Sequence, residues 1–218
     1  MHPPLEFLIR HPKVSIEKPP LLILLHGVGS NEKDLFSLTE FLPDSLLIVS
    51  VRGPITLGRD RFGWYEITFT GGAPKIDAEQ QQKSQKILLE FLNFLSTQFQ
   101  FDTKQVWFGG FSQGAVMSYS IGLEHPDRIK GIIALSGRIL EETKKNTKID
   151  DLPHDQKIYI AHGTNDNVIP VTSARASKEF LESMRKQYQY KEYPEGHTIS
   201  NEMLEDLVSW LDLELKKN

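Results

Sequence analysis

The 218 residues suit a single domain spanning 1–218 and are too few for two comfortable cores. Hydrophobic residues at 39% and charged residues at 25% exclude a disordered chain, and no apolar run approaches the roughly 18 residues of a membrane span. Against 25 basic residues stand 29 acidic ones, so nothing resembles a basic stripe for nucleic acid, and zero cysteines exclude disulfides, thiolate zinc sites and a cysteine nucleophile.

Residues 1–10 lack the basic start and apolar stretch of a signal peptide, so the expected compartment is the cytoplasm, without stable membrane association. A first strand over 5–10 is expected to pair antiparallel at a sheet edge. Residues 21–26 form an almost continuously apolar strand, leading into His26-Gly27-Val28-Gly29 and a helical pattern near 33–41. A strand at 46–51 opens a long connection, 52–76, that holds Arg61-Phe62-Gly63-Trp64-Tyr65. The pattern then predicts a helix over 77–99, a strand over 105–111, a helix over 114–124 and a strand over 129–135. A charged connection, 137–156, precedes a strand at 157–162, a helix near 173–186 and a strand at 188–193. Ser200 can cap a last helix whose stripe is Leu204, Leu207, Val208, Leu211 and Leu215. This alternation predicts an α/β fold, a mostly parallel twisted sheet of about seven strands flanked by helices.

Gly110-Phe111-Ser112-Gln113-Gly114 sits between an apolar strand and a helical pattern, the context of a G-x-S-x-G nucleophile elbow. A serine needs a base, an orienting carboxylate and oxyanion donors to act. In the hydrolase order, acid and histidine follow the serine. His2 and His11 lie near the amino terminus, His125 before Pro126 at a helix end, and His154 in a polar loop. His26 and His162 end strands just before glycines, where they tie loops. His197, in Glu195-Gly196-His197-Thr198 after the last strand, is the candidate base. Asp166, on the loop after the strand at 157–162, is the candidate acid, although an Asx turn is the other role for such a residue. Asp150, Asp151 and Asp155 precede that strand and fall at the opposite sheet edge. Backbone N–H groups of Gln113 and Val28 are the candidate oxyanion donors. Trp64 and Tyr65 either line an acyl site or pack their loop down. No dinucleotide, phosphate or H-E-x-x-H metal motif is present, and no cofactor is expected.

Over residues 21–211 the chain resembles the phospholipase/carboxylesterase family of α/β-hydrolases, relatives of the acyl-protein thioesterases. The marks are Leu25-His26-Gly27-Val28-Gly29-Ser30-Asn31-Glu32, the elbow, Leu135-Ser136-Gly137, His162-Gly163 with Asp166 and Val168-Ile169-Pro170, and Gly196-His197 with Ile199-Ser200. The resemblance implies catalytic positions for Ser112, Asp166 and His197 and oxyanion positions for Val28 and Gln113. It also implies an α/β-hydrolase fold and, from the family's habit, a homodimer. Val28-Gly29-Ser30-Asn31 followed by Asp34-Leu35-Phe36 is closer to the bacterial carboxylesterase branch than to the thioesterase branch. No insertion is long enough for a large lid domain, so the expectation is a carboxylesterase for short- to medium-chain esters. A lysophospholipase or acyl thioesterase using the same residues is the alternative, and a binding module that keeps the pocket is a remote one.

Overall fold

The computed structural model describes residues 2–70, 73–148, 153 and 155–217. Strands β1 (Phe7–Arg10) and β2 (Leu21–Leu25) precede a short helix, α1 (Lys33–Phe36). After β3 (Leu47–Val51) come two hairpins, β4 (Ile55–Gly58) with β5 (Arg61–Gly63) and β6 (Ile67–Thr70) with β7 (Ala73–Ile76). The long helix α2 (Ala78–Gln98) then leads to β8 (Val106–Phe111), α3 (Gln113–Glu124), β9 (Gly131–Leu135) and α4 (Glu141–Asn146). The chain ends with β10 (Lys157–Gly163), α5 (Val171–Ser183), β11 (Gln189–Tyr193) and α6 (Asn201–Lys216).

The main sheet has the order β1-β3-β2-β8-β9-β10-β11. The β1–β3 pair is antiparallel and the others are parallel, as expected for the edge strand and the continuously apolar strands. Side-chain alternation explains why β2 is buried throughout. Leu21, Ile23 and Leu25 pack with α2 and α3 on one face, while Leu22 and Leu24 pack with α1 and α6 on the other. At the far side, β9, β10 and α5 extend the first layer through Ile132, Ile158, Ile160 and Leu181. Register aligns the strand ends: Leu25 with Gly110, Phe111 with Leu135, and Gly163 with Tyr193. Every loop that follows these strands therefore emerges along one edge. No large lid lies among the described residues, and none of their helices is long and apolar enough to cross a membrane.

Three expectations need correction. The helix expected over 33–41 is α-helical only to Phe36. Beyond it the chain continues in tight turns (Leu38 N–H to Leu35 O, 3.1 Å; Thr39 N–H to Phe36 O, 3.1 Å). Hydroxyls of Ser37 and Thr39 bond carbonyls three residues back, which competes with helix continuation. The 52–76 connection is two hairpins rather than a loop, and the charged 137–156 connection contains α4. That helix has acids in its first turn and lysines in its last, matching the dipole. At six residues it is too short for periodicity to reveal. Asp150, Asp151 and His154 lie outside the described residues, and Asp155 pairs with Lys130.

Candidate active site

Two glycines let β8 turn sharply into α3. A Cβ at Gly110 would lie 2.3 Å from Gly114 C, and one at Gly114 only 1.9 Å from Leu25 O. Neither position has room for a side chain. Between them Ser112 adopts φ 55°, a left-handed conformation that costs a non-glycine residue about 1–3 kcal/mol. Its N–H is anchored to Leu135 O at 2.9 Å and its carbonyl starts α3 by accepting from Val116 N–H at 3.1 Å.

His197 brings its Nε2 to 2.9 Å from Ser112 Oγ and its Nδ1 to 2.6 Å from Asp166 Oδ2. A carboxylate only accepts, so Nδ1 carries the proton and the Nε2 lone pair faces the serine hydroxyl. The Phe111 ring backs the imidazole at 4.8 Å between centroids. Asp166 is 5% exposed, and its Oδ1 accepts N–H bonds from Val168 and Ile169, each 2.8 Å. Burial pushes its pKa up, but the bonds from His197, Ile169 and Val168 outweigh this and hold it below the usual carboxylate range. Behind it His162, buried and thereby depressed in pKa, donates from Nε2 to Ile169 O at 2.7 Å.

The acid and histidine loops are joined through main chain. Asn165 N–H bonds Glu195 O at 2.9 Å and Thr164 N–H bonds Tyr193 O at 2.7 Å. A Cβ at Gly163 would come within 2.4 Å of both Glu195 O and Gly196 O. This contact brings Asp166 within reach of His197.

The loop after β2 is held differently, by buried side chains. His26 Nε2 accepts from Gly53 N–H at 2.9 Å, so Nδ1 bears the proton and donates to Gly27 O at 2.7 Å. Ser30 N–H reaches the same carbonyl at 3.2 Å. Because the peptide is planar and trans, a carbonyl held on that side turns the Val28 N–H to the other. Gly27 itself abuts Ser112, for a Cβ there would be 3.6 Å from Ser112 Cβ. Among the described residues neither Val28 N–H nor Gln113 N–H has a hydrogen-bond partner.

Trp64 is fully buried, with its indole N–H on His26 O at 2.9 Å. Of its two sequence readings, packing the loop down is what the structure shows, and no surface remains for an acyl chain. Tyr65 is also buried, at 3% exposure. The residue that seats them is Gln113, which the sequence singles out only for its N–H. Its side-chain Oε1 accepts from Trp64 N–H at 2.8 Å and its Nε2 donates to Tyr65 O at 2.7 Å. Also missed was Arg52, which bonds buried Glu32 through two 2.7 Å contacts and lies 4.6 Å from the Phe62 ring centroid. Arg52 holds the Glu32 carboxyl below its ordinary pKa. The only available signal was composition: an amide, an acid and a base flanking glycine-rich turns.

A parallel α/β sheet that presents an elbow serine to a carboxylate-oriented imidazole at its carboxyl edge defines a serine ester hydrolase of the α/β-hydrolase class. The phospholipase/carboxylesterase family profile matches residues 10–215, and the chain belongs to that family. It is similar to acyl-protein thioesterase 1 of Eremothecium gossypii, 26% identical over 88% of this chain and 87% of that protein. A probable carboxylesterase of Arabidopsis thaliana, SOBER1-like, is 29% identical over 87% of this chain and 77% of its own length. The crystal structure of the Bacillus cereus carboxylesterase shares the fold, with a TM-score of 0.82 at 24% identity, covering 96% of this chain and 94% of that one.

Proposed function

We propose that this single-domain protein hydrolyses carboxylic esters of short to medium acyl length through an acyl-enzyme on Ser112. The observation that carries the reading is the continuous relay Ser112 Oγ, His197, Asp166, with contacts of 2.9 and 2.6 Å. His197 Nε2 takes the hydroxyl proton as Oγ attacks the ester carbonyl and then gives it to the departing alcohol. Asp166 fixes the tautomer and stabilises the imidazolium. Val28 and Gln113 N–H groups receive the oxyanion, and their lack of other partners supports that role. Water then repeats the sequence on the acyl-enzyme.

Hydrolysis of p-nitrophenyl esters from acetate to palmitate tests this, with Ser112→Ala alongside. The expected result is turnover that peaks at short chains and disappears in the variant; serine-independent turnover overturns it. A thioesterase reading has one specific support, the similarity to acyl-protein thioesterase 1. Matched oxygen and thiol esters of one acyl group separate the two. A cysteine-free sequence supports a cytoplasmic location, which cell fractionation checks.

A further inference from the structure

Past the carboxyl end of β9 lies a cavity of about 430 Å³ that the steps above leave unused. Its walls are the end of β7, the start of α2, the segment that leaves β9 and the first turns of α4 and α5. Strand β9 lies between β8, which carries Ser112, and β10, which carries Asp166, so this segment emerges between the two. The path is short. Leu135 O holds Ser112 N–H, Ser136 turns the chain at φ 52°, and Gly137 passes so close to α3 that a Cβ there would be 2.5 Å from Ala115 Cβ. Arg138 comes next and lines the cavity.

The lining combines apolar surface from Ile76 and Ile139 with an uneven set of charges. Lys144 and Glu141 pair at 2.7 Å and cancel. Arg138 and Lys75 remain against Glu142, and among the described residues no carboxylate lies within ion-pair distance of either cation. A half-buried guanidinium without a carboxylate partner, walled by apolar side chains, is a fork-shaped receptor for a carboxylate. Direction follows from the relay. His197 packs on Phe111, on the sheet face that carries α1 and α6, and the alcohol leaves toward the imidazole that protonates it. The cavity lies on the opposite face, among α2, α4 and α5. The acyl part, whose carbonyl oxygen sits on Gln113 N–H, is the part that extends toward it.

We propose that this cavity is an anion subsite for the acyl group and that the preferred substrates are monoesters of dicarboxylic acids, with Arg138 as the specificity residue. This rests on the ester-hydrolase reading of Ser112. No covalent step is added; the second carboxylate is held while the ester reacts.

The test compares p-nitrophenyl hemiglutarate with p-nitrophenyl valerate, a neutral ester of the same chain length. Wild type is expected to favour the anionic ester by at least about tenfold in kcat/KM, as a charge-assisted bond allows. That ratio should fall with added salt and collapse in Arg138→Gln, mainly through KM. Free glutarate should inhibit wild type competitively and inhibit the variant at least about tenfold more weakly. Arg138→Lys, which keeps charge but loses the fork, should recover part of the ratio and guards against misfolding of the first variant. Serine-dependent valerate hydrolysis without preference for the hemiester, or a ratio unmoved by Arg138→Gln, overturns the anion subsite and leaves the hydrolase standing. Loss of serine dependence on both esters overturns the hydrolase reading itself.

Discussion

The two halves of the site are built from different materials. On the acid–histidine side, loops from β10 and β11 touch through main chain: Gly163 against Glu195 and Gly196, and Asp166 on the N–H groups of Val168 and Ile169. On the oxyanion side the main chain is placed by side chains, with His26, Trp64, Gln113 and the Glu32–Arg52 pair each bonding a different stretch of loop. A triad needs one orientation of one imidazole, which two fused turns supply. The two N–H groups proposed to receive the oxyanion, which must meet a charge that exists only in the transition state, need a longer, braced loop. Substitutions should accordingly act through geometry of the backbone on one side and through loss of buried polar partners on the other.

The largest effect should come from Asp166→Asn, which presents an amide to Nδ1 and inverts the tautomer of His197. By analogy with serine-protease triads the expected loss is about 10⁴ in kcat, read with p-nitrophenyl acetate at saturation. A loss below about tenfold would mean that another acid orients the histidine.

Next is Gln113→Ala. It strands the N–H of Trp64 and the carbonyl of Tyr65 in a buried site, 49 and 48 residues away in sequence. Displacing the proposed oxyanion donor rather than deleting it should cost about 10² in kcat, at the lower end of donor-removal effects, with KM changed less. An unchanged kcat would remove the side-chain half of the comparison.

Gly163→Ala tests the other half. Main-chain oxygens 2.4 Å from the new Cβ cannot yield without separating the two loops. Unfolding in urea should show a loss of about 1–3 kcal/mol, the usual range for overpacking. A variant as stable as wild type would show that the loops are less tightly joined than their geometry implies.

The smallest effect concerns the outer clamp of the same half. Arg175 on α5 grips Glu192 on β11 through 2.8 and 2.7 Å bonds and, against the opposing push of burial, pulls its pKa down from 4.5 to about 2. A depressed carboxylate contributes stability above its unfolded value, and that contribution fades as pH falls from about 4.5 toward 2. Glu192→Gln should therefore flatten the acid slope of stability in that window, costing a modest amount of stability at pH 7 and none near pH 2. An identical slope in urea titrations at pH 3 and pH 4 would exclude this pair as its source.

Ser112, Asp166 and His197, which the structure joins by hydrogen bonds, were legible as a group because each obeys a local rule. Gly110 and Gly114 announce a turn that only glycine permits, and Asp166 and His197 each follow an apolar strand in the hydrolase order. Ser200 at the start of α6 was readable for the same reason, since a cap bonds its own helix, here Met203 N–H at 3.3 Å. The braces were not legible. Gln113 reads as any residue between serine and glycine, and nothing near it names Trp64 as its partner.

The strands of the main sheet, their mostly parallel pairing and the chain order of Ser112, Asp166 and His197 were determined by the sequence itself, because burial on two faces and turn chemistry act over a few neighbouring residues. Tertiary structure alone decided that 52–65 folds back as a hairpin under the elbow, that Trp64 is core rather than acyl wall, and that Arg138 opens into a cavity. Those outcomes depend on contacts between residues far apart in the chain, whose distances are set only when the sheet has closed and every buried polar group must find a partner.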